Sequence, residues 1–250
     1  YFDKGKKIPT KIVDKYLTNI PADCKFLDPC CGTGSFILSA SRNIKNPLNI
    51  YGFDIDKTAC FIAKINLVIW YKDIQFRPNI FHTDFLTEEN IDTDFDIIAT
   101  NPPWGADNTR KYRKLFPNIP SCESFSFFIF KSANHIKSDG SLLFVLPESI
   151  LNVKTHQDIR KFILDNFHIN RIDHIGRMFS GVLTSVVILD LDKNTDDKYL
   201  TISHNGNTRV LNQDYYRNNI NNNFSVIDIR DAKILEKIYS VKHIHLDEKS

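Results

Sequence analysis

Short uninterrupted apolar runs alternate along this chain with longer stretches whose apolar residues recur every three or four positions. The runs at residues 25–27, 50–55, 79–81 and 96–100 are each closed by polar or Gly/Pro punctuation and predict buried strands. The periodic stretches at 35–41, 57–71, 125–136 and 155–166 predict helices. In 57–71 the apolar positions are Cys60, Ala63, Ile65, Leu67 and Val68. Residues 9–20 predict an opening helix with Ile12, Val13, Tyr16 and Leu17 on one face and Thr10 placed to cap it. Gly140 predicts a turn into a strand at 141–146. Two further strands, 170–175 and 184–191, lie too close for a helix between them, so they are expected to pair antiparallel. Strand–helix alternation otherwise implies an α/β fold, a parallel sheet with helices on both faces.

After Asp192 the pattern fades. Asn, Asp and Lys accumulate through Asn218-Asn219-Ile220-Asn221-Asn222-Asn223, which reads as a connector, and residues 231–239 predict one more amphipathic helix. The expected division is therefore 1–191 and 192–250. The chain opens on Tyr1 rather than Met, which points to a piece of a longer protein.

Composition changes this picture little. The 250 residues are 42% hydrophobic and 25% charged, enough for one large core. No stretch approaches a membrane span, and the N-terminus is no signal peptide. Five cysteines, with Cys30 and Cys31 adjacent, do not suggest a disulfide framework, so a reducing, cytoplasmic location is expected. No metal site is expected either, since His243 and His245 alone are too few ligands. A net charge of +2 and a pI of about 8.2 permit a nucleic-acid partner without demanding one.

Candidate chemistry begins at Asp28-Pro29-Cys30-Cys31-Gly32-Thr33-Gly34, a tight loop between a strand and a helix. Glycines there allow close backbone approach to a ligand. Ile37 stands where a dinucleotide fingerprint has its third glycine, and the Lys of a phosphate-binding loop is absent. The loop thus suits a nucleoside-bearing ligand without a pyrophosphate. Asp54 ends the next strand, twenty positions after Gly34, the spacing of an acid that binds ribose hydroxyls. Asp84 could accept from an adenine amine while Phe85 covers the ring. Together these residues describe an S-adenosylmethionine site.

Asn101-Pro102-Pro103-Trp104 follows the strand at 96–100, on the edge where open α/β sheets bind ligands. Prolines lack N–H groups, so nearby carbonyls are left to accept. An amide oxygen, a carbonyl and a flat aromatic face can hold a planar base with an exocyclic amine. Residues 108–121 read as a loop whose Arg110, Lys111, Arg113 and Lys114 can reach phosphates without reading sequence.

The order DPCCGTGSF, YGFDID, HTDF, NPPW and FSGVLTSVVIL resembles the gamma-class, Taq-type DNA adenine-N6 methyltransferases of restriction–modification systems. The resemblance covers about residues 9–191. It implies a seven-stranded, Rossmann-like methyltransferase sheet with a separate target-recognition region, to which 192–250 would lead. It implies that Asp54 binds ribose, that Ile55 and Phe85 sandwich the cofactor adenine, and that Asp84 pairs its amine. Asp28, Gly32 and Gly34 would line the methionine end. Asn101, Pro102 and Trp104, beside Pro103, would hold an adenine flipped from duplex DNA, with Phe179 as a second aromatic. Trp104 stands where Tyr or Phe is commoner, and Ile8-Pro9-Thr10 where Thr-Pro is common. The same four-residue motif serves methyltransferases acting on RNA bases or protein glutamine. A catalytically idle nucleic-acid-binding subunit is the reading from another class.

Overall fold

A computed structural model describes residues 15–16, 20–91, 94–105, 109–119, 123–176, 184–204 and 206–224. Nine strands form one sheet: β1 (Phe26–Asp28), β2 (Ile50–Asp54), β3 (Asn79–His82), β4 (Phe95–Thr100), β5 (Ile136–Pro147), β6 (His168–Gly176), β7 (Val186–Asp192), β8 (Tyr199–His204) and β9 (Asn207–Asn212). Their order is β3-β2-β1-β4-β5-β7-β6-β8-β9. Strands β1 to β5 pair in parallel, and β7 runs antiparallel to both β5 and β6, as its short approach from β6 required. The helices are α1 (Ser35–Ala40), α2 (Lys57–Tyr71), α3 (Thr109–Leu115), α4 (Ser124–Ser132), α5 (Gln157–Asn166) and α6 (Asp214–Arg217).

Side-chain alternation builds a core on each face. Leu142, Phe144 and Leu146 of β5 point to the face covered by α4 and α5, where Phe125, Phe127, Ile159 and Ile163 meet them. Leu143 and Val145 point to the other face, against Ile37 of α1 and Ala63 and Leu67 of α2. Strands buried on both faces must be apolar throughout, and β4 and β5 therefore read as continuous runs.

The sheet exceeds the expected seven strands. The extra hairpin, β8 and β9, comes from the stretch read as a connector. Strand β8 adds in parallel to β6 and buries only Leu200 and Ile202, two apolar positions too sparse to stand out from Asn and Asp neighbours. Gly140 lies within the span of β5, at an irregularity where the register against β4 jumps from Phe95–Ile136 to Ile97–Ser141. A Cβ there would sit 2.9 Å from the Asp96 carbonyl and 2.7 Å from Ile136 Cγ1, so glycine serves strand-to-strand approach. Residues 109–115, expected as loop, are α3. Of residues 9–20 only Lys15, Tyr16 and Ile20 are described; Lys15 and Tyr16 are helical and both donate to Asp173 on β6. Thr10 and the helix predicted at 231–239 lie outside the described residues.

The Asn-rich stretch is held by Arg160 of α5, which is fully buried. Its guanidinium donates to the carbonyls of Ile150 (3.1 Å), Val153 (2.9 Å) and Asn221 (2.9 Å) and to Asn223 Oδ1 (3.2 Å). Phe224 N then donates to the Leu151 carbonyl at 2.8 Å. Among the described residues no helix is long and apolar enough to cross a membrane.

Candidate active site

Strands β1 to β6 all point one way, with β7 running back between β5 and β6, and the C-terminal ends of β1 to β4 carry the candidate residues. The order reverses between β1 and β4, which opens a crevice between the loops that leave them. The β1 loop turns through Gly32 (φ 50°) and Gly34 (φ 89°), both left-handed. A Cβ on Gly34 would lie 3.2 Å from that of Ala63, so the glycine also lets α2 pack close. Asp54 ends β2. Its Oδ2 accepts from Gly32 N and its Oδ1 from Asp56 N, each at 2.8 Å, which ties the glycine loop to the second strand. Capping of α2 is done by Asp56, which accepts from Thr58 N and Ala59 N, so Asp54 is not the cap.

Asp28, at the end of β1, is buried beneath this loop. Its Oδ1 accepts from Thr100 Oγ1 at 2.7 Å and from Cys30 N at 3.1 Å. Burial pushes its carboxyl up to about 7, against the pull of those two donors, with Asp54's charge adding to the rise. A carboxyl raised on folding binds its proton more tightly in the folded chain. Its contribution to stability is present below the ordinary value of 3.8 and is lost as pH rises through about 7. Asp28→Asn should therefore gain stability relative to the parent between pH 5 and about pH 8.5, read by urea unfolding at both. A difference that does not change with pH would show that Asp28 does not titrate there.

Beyond Thr100 the chain leaves β4 as Asn101-Pro102-Pro103-Trp104-Gly105. Asn101 is exposed, and its amide has no partner among the described residues. The same holds for the Pro102 carbonyl. The Pro103 carbonyl is not free: Ser124 Oγ, at the start of α4, donates to it. Gly105 N donates to Glu123 Oε2 at 2.9 Å, and Trp104 Nε1 to the Val145 carbonyl at 3.3 Å. Three anchors thus fix the loop and leave two acceptors open.

A cavity of about 600 Å³ joins these parts, within the range of small-molecule sites. Of the predicted residues it is lined by Asp54, Ile55, Asp84, Phe85, Asn101, Pro102, Pro103 and Trp104. Asp28, Gly32 and Gly34 are not on its wall; they lie behind it and shape the loop. Phe179 lies outside the described residues. Cys30, Thr83, Tyr112 and Phe128 also line it and were missed. Tyr112 had a signal, an aromatic amid the cations of 110–114.

Packing engages two of the predicted residues in ways the sequence does not show. Phe85 is 1% exposed, stacked on Phe128 at 5.9 Å and 5.6 Å from Phe53. It is a core ring at the cavity wall, and of the expected sandwich only Ile55, 72% exposed, has a free face. Asp84 is already engaged. Its Oδ1 accepts from Leu86 N, and its Oδ2 from Lys111 Nζ (2.7 Å) and Tyr112 OH (2.9 Å), both on α3. Lys111 is thus held by a carboxylate rather than presented to phosphate.

The lining suits a nucleoside. A strand-end carboxylate, an exposed Ile55 and a largely apolar wall could meet the needs of ribose and ring, and Asn101 and Pro102 line the same space. Among the described residues no group of His, Cys, Asp and Glu could hold a metal ion.

Comparison with known proteins accords with this geometry. Residues 8–243 match the family N-6 DNA Methylase. The type II methyltransferase M.VspI of Vibrio sp. (strain 343) is 32% identical over 249 residues, covering 94% of this chain and 60% of that protein. The chain thus spans about three-fifths of that relative's length. Among solved structures, a Listeria monocytogenes protein assigned to the class I S-adenosylmethionine-dependent methyltransferases superposes with TM-score 0.64 at 20% identity, over 94% of this chain and 69% of the other. The type IIG restriction endonuclease BpuSI gives 0.69 at 16% identity, over 94% and 33%. At such identities these likenesses speak for the fold, that of the S-adenosylmethionine-dependent methyltransferases.

Proposed function

The chain belongs to the N-6 DNA methylase family, and from that premise we propose that it methylates the N6 amine of adenine in duplex DNA, using S-adenosylmethionine, within a restriction–modification system in the cytoplasm. One observation carries the reading: the open acceptors of Asn101 and Pro102 line the same cavity as Asp54 and Ile55.

The adenine amine is a poor nucleophile because its lone pair is delocalised into the ring. Asn101 Oδ1 and the Pro102 carbonyl would each accept one of its N–H groups and favour a pyramidal nitrogen whose lone pair points at the methyl carbon. The cofactor supplies a methyl group already activated by its sulfonium. Transfer would form the nitrogen–carbon bond as the sulfur–carbon bond breaks, with the amine's extra proton leaving to solvent. Positioning is then the chain's main contribution. A base inside a duplex cannot reach the cavity, so it is flipped, and Trp104 replaces part of its lost stacking. Phe179 is proposed as a second aromatic. Asp28, Gly32 and Gly34 hold the loop at the methionine end, and Asp54 holds the ribose. A target-recognition region, in a longer protein than this chain, supplies sequence preference.

Two measurements on the full-length protein test this. Labelled cofactor offered duplex DNA, RNA and protein should place its label on adenine N6 of DNA; label only on RNA or protein would overturn the substrate. Asp54→Ala should bind S-adenosylmethionine at least about tenfold more weakly by calorimetry, through loss of charge-assisted hydrogen bonds and of the Gly32 tether. Unchanged affinity would remove Asp54 from the site.

A further inference from the structure

We propose that Lys111 is a displaceable partner of Asp84, so that the exocyclic amine of the cofactor adenine competes with the Lys111 ammonium for Asp84 Oδ2. The proposal rests on the cofactor reading above and adds to it a residue that tunes affinity.

The argument starts from acceptor capacity. A carboxylate oxygen accommodates about two donors. Oδ2 of Asp84 has two, Lys111 and Tyr112, and Oδ1 is turned to Leu86 N. The Asp84 side chain is only 16% exposed, so an incoming amine has little of it left to address. At Oδ2 one existing donor must yield, and the two differ. Tyr112 is half-buried in the cavity wall, its ring 5.8 Å from that of Phe127, and burial pushes its hydroxyl up to about 12. It has nowhere better to go. Lys111 is 55% exposed on a flexible stem and regains water on leaving.

An ion pair this exposed is weak, so the exchange costs little. It is not free, however. Cofactor binding carries the loss of the Lys111–Asp84 attraction, and that loss shrinks as salt screens the pair. Lys111 therefore acts as a negative determinant of cofactor affinity at low salt. α3 begins four residues after Gly105, so the same short segment joins the target-side loop to the cofactor wall.

Calorimetry of the full-length protein with S-adenosylhomocysteine, which carries the same adenosine and transfers nothing, tests this at low and high salt. Lys111→Met should bind about two- to fivefold more tightly than the parent at low salt, and the two should converge at high salt. Lys111→Arg, which keeps the charge, should follow the parent. Equal or weaker binding by Lys111→Met at low salt would overturn the proposal. Failure of the parent to bind at all would overturn the cofactor reading itself, a different result that Asp54→Ala reports independently.

Discussion

Asn101→Ala should lower methyl transfer to duplex DNA by at least about a hundredfold while S-adenosylmethionine affinity stays within about twofold. Removing one preorganised polar contact to a reacting group typically costs 10²–10³ in rate. Asn101 fits that description because its amide is exposed, unpartnered among the described residues and mounted on a loop held at three other points. The side chain bears no part of the fold, so the variant should keep its stability. The cofactor side is separate: Asp54 and Ile55 leave a different strand. Single-turnover assays with labelled cofactor give the rate, and calorimetry gives the affinity. A variant within tenfold of the parent rate would sink the mechanism. Equal losses of rate and cofactor binding would show that Asn101 shapes the cofactor pocket instead.

Arg160→Met should destabilise the fold by about 3–5 kcal/mol, since several buried acceptors lose their donor and each one left unsatisfied costs about 1–3 kcal/mol. The guanidinium is fully buried and is met by three backbone carbonyls and one side-chain amide oxygen. Burial lowers its pKa to about 10, opposed by the charge of Asp158, so it stays protonated near neutrality. Methionine matches the length of the stem but donates nothing. The carbonyls of Ile150, Val153 and Asn221 would lose their donor in a dry interior. Urea unfolding reads the change, and limited proteolysis should find the chain near 218–224 newly open. A loss under about 1 kcal/mol would mean that water or a rearranged loop replaces the guanidinium.

Why some of this was legible in the chain and some was not follows from the range of the forces. α2 was read at its observed bounds because its signals are local: Asp56 caps it, and apolar residues recur on its inner face. The strands leading to Asp54 and Asn101 were likewise legible, since burial on both faces writes itself as an apolar run. The site motifs were legible because glycine conformation and proline chemistry act within a few residues. The packing of Phe85 was not legible because the ring stacked on it, Phe128, lies 43 positions on. The partners of Asp84 were hidden for the same reason, both lying on α3. The Asn-rich stretch looked like a linker because nothing within it shows the Arg160 that binds it from 61 positions away. α3 escaped because a seven-residue helix with one inward Tyr112 has too few turns to show a period.

The direction of the strands divides the rim of the sheet into two economies of change. Every candidate group sits where the parallel strands end. The opposite rim holds the turns that enter them, among them residues 41–49, 72–78 and 193–198. Lengthening a surface loop costs only about 0.6 kcal/mol per doubling, so these turns can drift, accept insertions or carry a fused tether while the crevice keeps its shape. Attachment there also leaves the proposed DNA-facing rim unobstructed. The loops after β1, β2, β3 and β4 have no such latitude, because each supplies a wall of the same cavity.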